Sequence, residues 1–114
     1  ITNSQQLAII KALRKDPAST HILVFPTKAL AQDQFKSFND LLRLEITSFD
    51  SRTCSVYDGD TPSTDKKDIR ANASIIFTNF DTLHLAILPN HSLWSRSLRG
   101  LKYFIIDELD SYRV

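Results

Sequence analysis

The chain has 114 residues, enough for one small domain with a core of its own. Its 14 basic and 13 acidic residues leave a formal net charge of +1, so any nucleic-acid binding must come from local placement rather than bulk charge. A hydrophobic share of 42% with 24% charged residues excludes a disordered or collagenous chain, and the single cysteine, Cys54, excludes an internal disulfide.

No apolar run approaches the roughly 20 residues of a membrane span, so no membrane role is expected. The start, Ile1 to Gln6, lacks the basic residues and apolar stretch of a signal peptide. It also lacks Met, so the sequence reads as a piece of something longer, with an intracellular setting expected.

Leu7, Ile9, Ile10 and Leu13 recur at helical spacing, and Asp16-Pro17 ends that helix. Residues 21–25 are apolar on both parities, the mark of a buried strand in a parallel sheet. After Pro26, Thr27 is placed to cap a second helix whose inner face is Leu30, Ala31, Gln34, Phe35, Phe38, Leu41 and Leu42. A second strand is expected near 53–57, a turn at 58–62 and a short polar helix over about 64–70. A third strand follows at 73–77. Residues 81–88 read as a helix stopped by Pro89, and 92–98 as a further turn or two. Gly100 suits a helix C-terminus, and 101–106 form the last strand. Strands alternating with helices predict a mostly parallel sheet covered on both faces.

In such sheets ligands sit beyond the carboxyl ends of the strands. Four places qualify. The pair Asp107-Glu108 follows an apolar strand: one carboxylate can hold a hydrated Mg²⁺ against nucleotide phosphates and the other can orient an attacking water. Taken alone, the pair is explained more simply by a strand that leaves the core into polar residues. Pro26-Thr27-Lys28 delivers free amides, a hydroxyl and an ammonium to a helix start, with Gln32 one turn on, a set suited to a backbone phosphate or to plain capping. Around Gly59, backbone amides and the Thr61 hydroxyl can approach a phosphate, but Asp58 and Asp60 repel one unless they point away. Thr78 and Asn79, ahead of Asp81, suit phosphate contacts and suit helix capping as well. His21, His84 and His91 have no zinc spacing, Cys54 has no activating partner, and Trp94 reads as core.

A phosphate-wrapping loop of the form G-x-x-x-x-G-K-S/T is absent: Gly59 precedes Asp60, and Gly100 precedes Leu101.

The order of these blocks, from Phe25 to Gln34, Tyr57 to Pro62, Ile76 to His84, Ile87 to His91 with Trp94, and Tyr103 to Arg113, resembles the DEAD/DEAH-type superfamily 2 helicases. The nearest branch by resemblance is the RecQ-like DNA helicases with a C-terminal domain of a type first called unknown-function. The resemblance implies an α/β fold. The chain would be a partial RecA-like domain of the P-loop NTPase type over residues 1–114, with the P-loop strand missing. It implies nucleic-acid backbone contacts at Pro26, Thr27, Lys28 and Gln32 (motif Ia), at Gly59, Asp60 and Thr61, and at Thr78, Asn79 and Asp81 (motif Ib). It implies ATP and Mg²⁺ as cofactors, with Asp107 and Glu108 as the catalytic pair, Asp107 holding Mg²⁺ through water, and Asp110 closing motif II where that branch usually has His. The implied partners are nucleic acid, chiefly single-stranded DNA, and the second RecA-like lobe of a parent chain. A nuclear location in a eukaryote and a role in DNA repair follow from the same likeness. Without its P-loop the piece alone is expected to be inactive and poorly stable. The alternative is a non-catalytic nucleic-acid-binding module derived from such a lobe.

Overall fold

A computed structural model describes residues 1–46 and 53–107. Glu108 and Asp110 lie outside the described residues, as does the rest of the segment through Arg113.

Helix α1, Asn3–Lys15, opens on a capping box in which the Thr2 hydroxyl accepts from the Gln5 amide and the Gln5 side chain accepts from the Thr2 amide. It buries Ile9, Ile10 and Leu13, whereas Leu7 of the same periodic set is exposed. Strand β1, Thr20–Phe25, is buried at all six positions, as expected for a central parallel strand. Helix α2, Lys28–Glu45, starts where expected, with the Leu30 amide donating to the Thr27 hydroxyl at 3.1 Å. Strand β2 is Cys54–Val56, helix α3 is Ser63–Asn72, and strand β3 is Ile75–Asn79.

Strand β3 starts and ends two residues later than the sequence suggests. Asn79 keeps an extended backbone while capping the next helix, so the strand runs up to the cap itself. That helix differs too. One α-turn, α4 at Phe80–Thr82, passes into a π-helical stretch at Leu83–Ile87 and a 3₁₀ turn at Leu88–Asn90. The wider register lets the Leu88 amide reach back to the Leu83 carbonyl. Pro89 sits early in the 3₁₀ turn, where its missing N–H has no bond to break, so it does not end the helical path. Helix α5, Ser95–Arg99, and strand β4, Leu101–Ile106, complete the described chain.

The four strands pair in the order β2-β3-β1-β4, all parallel. Under one face α1 and α2 pack Ile9, Ile10, Leu13, Phe38 and Leu42 against Leu23, Phe25, Ile75 and Phe77. On the other face Trp94, Ile87 and Ile69 cover Ile22, Val24 and Ile76, with Tyr57 edge-on to Trp94. Coverage fails at one place. On β4, Tyr103 and Ile105 pack under the α1 side, but Phe104 and Ile106 stand 46% and 52% exposed. Beside β4, the described residues provide neither a further strand nor a covering helix on that face.

Candidate nucleotide and nucleic-acid sites at the strand ends

Because all strands point the same way, β1, β2, β3 and β4 deliver their following residues to one edge of the sheet. Pro26, Thr27 and Lys28 follow β1, the turn at 58–61 follows β2, Asp81 follows β3, and Asp107 follows β4. The sheet order puts β3 and β2 on one side of β1, and β4 on the other. The edge therefore divides at β1 into two half-sites.

On the β3–β2 side, one cavity of about 270 Å³ is lined by Lys28, Asp58, Gly59, Asp81 and Thr82, with Lys66 from α3. The loops that follow β1, β2 and β3 thus share a single depression. Thr27, Lys28, Gly59, Asp60 and Asp81 are exposed, while Thr61 is half-buried. Gln32 is exposed but does not line this cavity. The Thr61 hydroxyl is already engaged by its own loop, accepting the Asp58 amide at 3.0 Å and donating to the Val56 carbonyl at 3.3 Å.

The two acidic residues of that turn behave differently from each other. Asp58 faces inward, 2% exposed; its Oδ1 accepts the Asp60 amide at 2.8 Å, and its Oδ2 is buried without a partner. Asp60 stays outside and holds the Lys28 ammonium at 3.3 Å. Thr78 and Asn79 are buried. Asn79 Oδ1 accepts the Thr82 amide at 2.9 Å, which is the capping role, and the Thr78 hydroxyl has no partner. Lys66, which the sequence reading passed over, lies 5.8 Å from the centre of the Tyr57 ring. Its only signal was its place on the polar helix just after the turn.

On the β4 side, the Asp107 amide donates to the Val24 carbonyl at 2.8 Å, which extends the β1–β4 pairing by one residue. The Asp107 carboxylate lies 3.7 Å from the backbone nitrogen of Ile1, so the start of α1 opens beside it. A carboxylate at a strand end offers an oxygen to a hard cation, whereas the first turn of α1 already spends its Gln5 and Gln6 amides on Thr2. Among the described residues no three His, Cys, Asp or Glu side chains gather. His84 is exposed, whereas a helix-packed place is expected of it, and His21 is buried at the opposite end of β1. Cys54 is buried, and burial pushes its thiol far up, away from the reactive range. Trp94 is core, although its neighbours Leu93 and Leu98 are exposed.

The chain is 47% identical over 108 residues to the ATP-dependent helicase HRQ1 of Saccharomyces cerevisiae, covering 95% of this chain and 10% of that protein. The crystal structure of the DUF1998 helicase MrfA superposes with a TM-score of 0.85 at 38% identity, covering 96% of this chain and 17% of that one. MrfA bound to DNA matches with a TM-score of 0.82 at 37% identity, over 92% of this chain and 15% of that one. The chain thus spans about a tenth to a sixth of these relatives. The DEAD/DEAH box helicase family model matches residues 2–114, and with the parallel sheet and its strand-end loops arranged as described, the chain belongs to that family.

Proposed function

We propose that this chain is the part of an ATP-dependent nucleic-acid helicase that grips the strand backbone and supplies the acidic half of the nucleotide site. The observation that carries the reading is the shared cavity, where the loops after β1, β2 and β3 present Lys28, Gly59 and Asp81 together. Lys28 would hold a phosphate by its charge, and the amides at Thr27 and Gly59 would place the backbone. DNA is the favoured substrate, supported by the DNA-bound relative, with single strands as the form gripped.

ATP and Mg²⁺ belong to the β4 side. Asp107 would hold the hydrated cation, Glu108 would orient and deprotonate water, Asp110 would close the motif, and the start of α1 would face the phosphates. The cation would polarise the transferred phosphoryl group. Residues 1–114 would form one partial ATP-binding domain that works against a second RecA-like lobe. The reading extends to the RecQ-like branch and to DNA repair, inside the cell and in the nucleus of a eukaryote.

The test is the salt dependence of binding to a single-stranded oligothymidylate. In the intact protein, Lys28→Ala should weaken binding several-fold and reduce the slope of log affinity against log salt by about 1. An unchanged slope would remove Lys28 from the phosphate track and the nucleic-acid reading with it.

A further inference from the structure

We infer that Asp60 is a built-in counter-charge for Lys28, which an incoming phosphate must displace, and not itself a nucleic-acid contact. The inference rests on the nucleic-acid reading above and deepens it.

The turn holds Asp60 in place. Asp58 is buried, its Oδ1 accepts the Asp60 amide at 2.8 Å, and the Thr61 amide donates to the Asp58 carbonyl at 3.2 Å. The Asp60 backbone is therefore tied to a buried anchor, and its carboxylate is exposed beside Lys28, which lines the cavity. Lys28 comes from a different element, yet its ammonium is 3.3 Å from Asp60 Oδ2. It also lies over the turn itself: a Cβ on Gly59 would be 3.7 Å from Lys28 Nζ. The other lysine of the cavity, Lys66, sits over the Tyr57 ring instead. The cation assigned to the phosphate is thus the one that carries an intramolecular anion.

An exposed ion pair like this adds little to folding. Its effect is on binding. A phosphate that takes Lys28 gains one cation, but it strands Asp60 next to a like charge. Asp60 therefore lowers affinity and offsets part of the salt release expected from Lys28. A protein that moves along a strand gains from this, because each grip is easier to let go.

The experiment is a double-mutant cycle on the intact protein, with binding to a fluorescent oligothymidylate measured across a salt series. Asp60→Asn should tighten binding about two- to five-fold, the worth of an exposed pair, and steepen the salt slope. Asp40→Asn, the same charge change on a distant exposed turn of α2, should do much less. In a Lys28→Ala background the gain from Asp60→Asn should shrink to that of Asp40→Asn. Asp60→Glu, which keeps the charge, should stay near the parent. Equal gains with and without Lys28 would overturn the inference, since Asp60 would then act only through the general field. So would no gain, or weaker binding, the latter making Asp60 a direct contact. If Lys28→Ala itself has no effect, the nucleic-acid reading fails first; if Lys28→Ala acts as expected and Asp60→Asn does not, only the counter-charge fails.

Discussion

The two ends of the sheet are both polar, and they use polarity in opposite ways. At the amino ends of the strands, Ser19, Thr20, His21 and Ser97 are all buried. Most of their polar atoms bond to one another and to the backbone: the Ser19 hydroxyl donates to the Asp16 carbonyl, the Thr20 hydroxyl donates to the Ser97 carbonyl, and the Thr20 amide donates to the Gly100 carbonyl, while His21 Nδ1 has no partner. Gly100 fits closely there: a Cβ would lie 3.1 Å from the Ala18 carbonyl oxygen, so the neighbouring backbone would have to give by a few tenths of an ångström. At the carboxyl ends, Thr27, Lys28, Gly59, Asp60 and Asp81 are exposed, and Lys28, Gly59 and Asp81 line a cavity. Buried polar groups must be satisfied internally to be tolerated, whereas exposed ones keep bonding capacity for a ligand. On the function proposed above, fold support and ligand chemistry thereby divide between the two ends of the same strands.

The largest test of that separation lies at the carboxyl end. Glu108→Gln in the intact protein should lower ATP turnover by at least about 100-fold, the scale of a lost general base. Thermal unfolding should be unaffected and ATP binding retained, because the substitution removes a charge and keeps the shape. Turnover within a few-fold of the parent would assign water activation to another group and empty the carboxyl end of its main chemistry.

Much of this division could be read before the structure. The apolar runs of β1 and β4, the Thr27 cap and the breaks at Pro17 and Pro26 are local signals, and local physics fixed them. The family was legible in the order of the blocks. What escaped depends on contacts remote in sequence. The Lys28–Asp60 pair reaches across β3, because parallel strands leave the loops after β1 and β2 at the same edge of the sheet. Arg96 gave no hint that its guanidinium would satisfy the Arg70 carbonyl at 3.0 Å and the Ala73 carbonyl at 2.9 Å at the end of α3. Phe104 and Ile106 are exposed because, among the described residues, no element covers that face of β4, which the run of apolar residues at 103–106 does not reveal. Asp58 and Asp60, two residues apart in one turn, took opposite roles because only one of them faces the core.

At the amino end, a smaller effect should appear with pH. Burial, and then the nearby Lys102 charge, lower the His21 pKa from 6.5 to about 4. The ring stacks on Tyr103 at 5.5 Å, and its Nε2 is 3.0 Å from the Ser19 hydroxyl. Between pH 6.5 and 4 the unfolded chain binds a proton that the folded one refuses, so stability rises with pH across this window. His21 should leave stability unaffected above pH 6.5 and cost roughly 1 kcal/mol per pH unit as the pH falls towards 4. Urea unfolding at stepped pH should show that slope, and His21→Gln should flatten it. Nucleic-acid affinity at neutral pH should not change, since this end faces away from the cavity.

The smallest effect is the most pointed, because Thr78 belongs to the carboxyl end by sequence and to the core by burial. Its side chain is fully buried and its hydroxyl has no partner, while its backbone pairs with Val24 in the sheet. A buried hydroxyl without a bond costs free energy, and a methyl of nearly the same shape does not. Thr78→Val should therefore raise stability by up to about 1 kcal/mol and leave oligothymidylate binding unchanged. Weaker binding with unchanged stability would mean that β3 turns the hydroxyl outward to a phosphate when the strand is gripped. The boundary between the supporting end and the binding end would then move one residue into β3, and the unpaired hydroxyl would be a contact held in reserve.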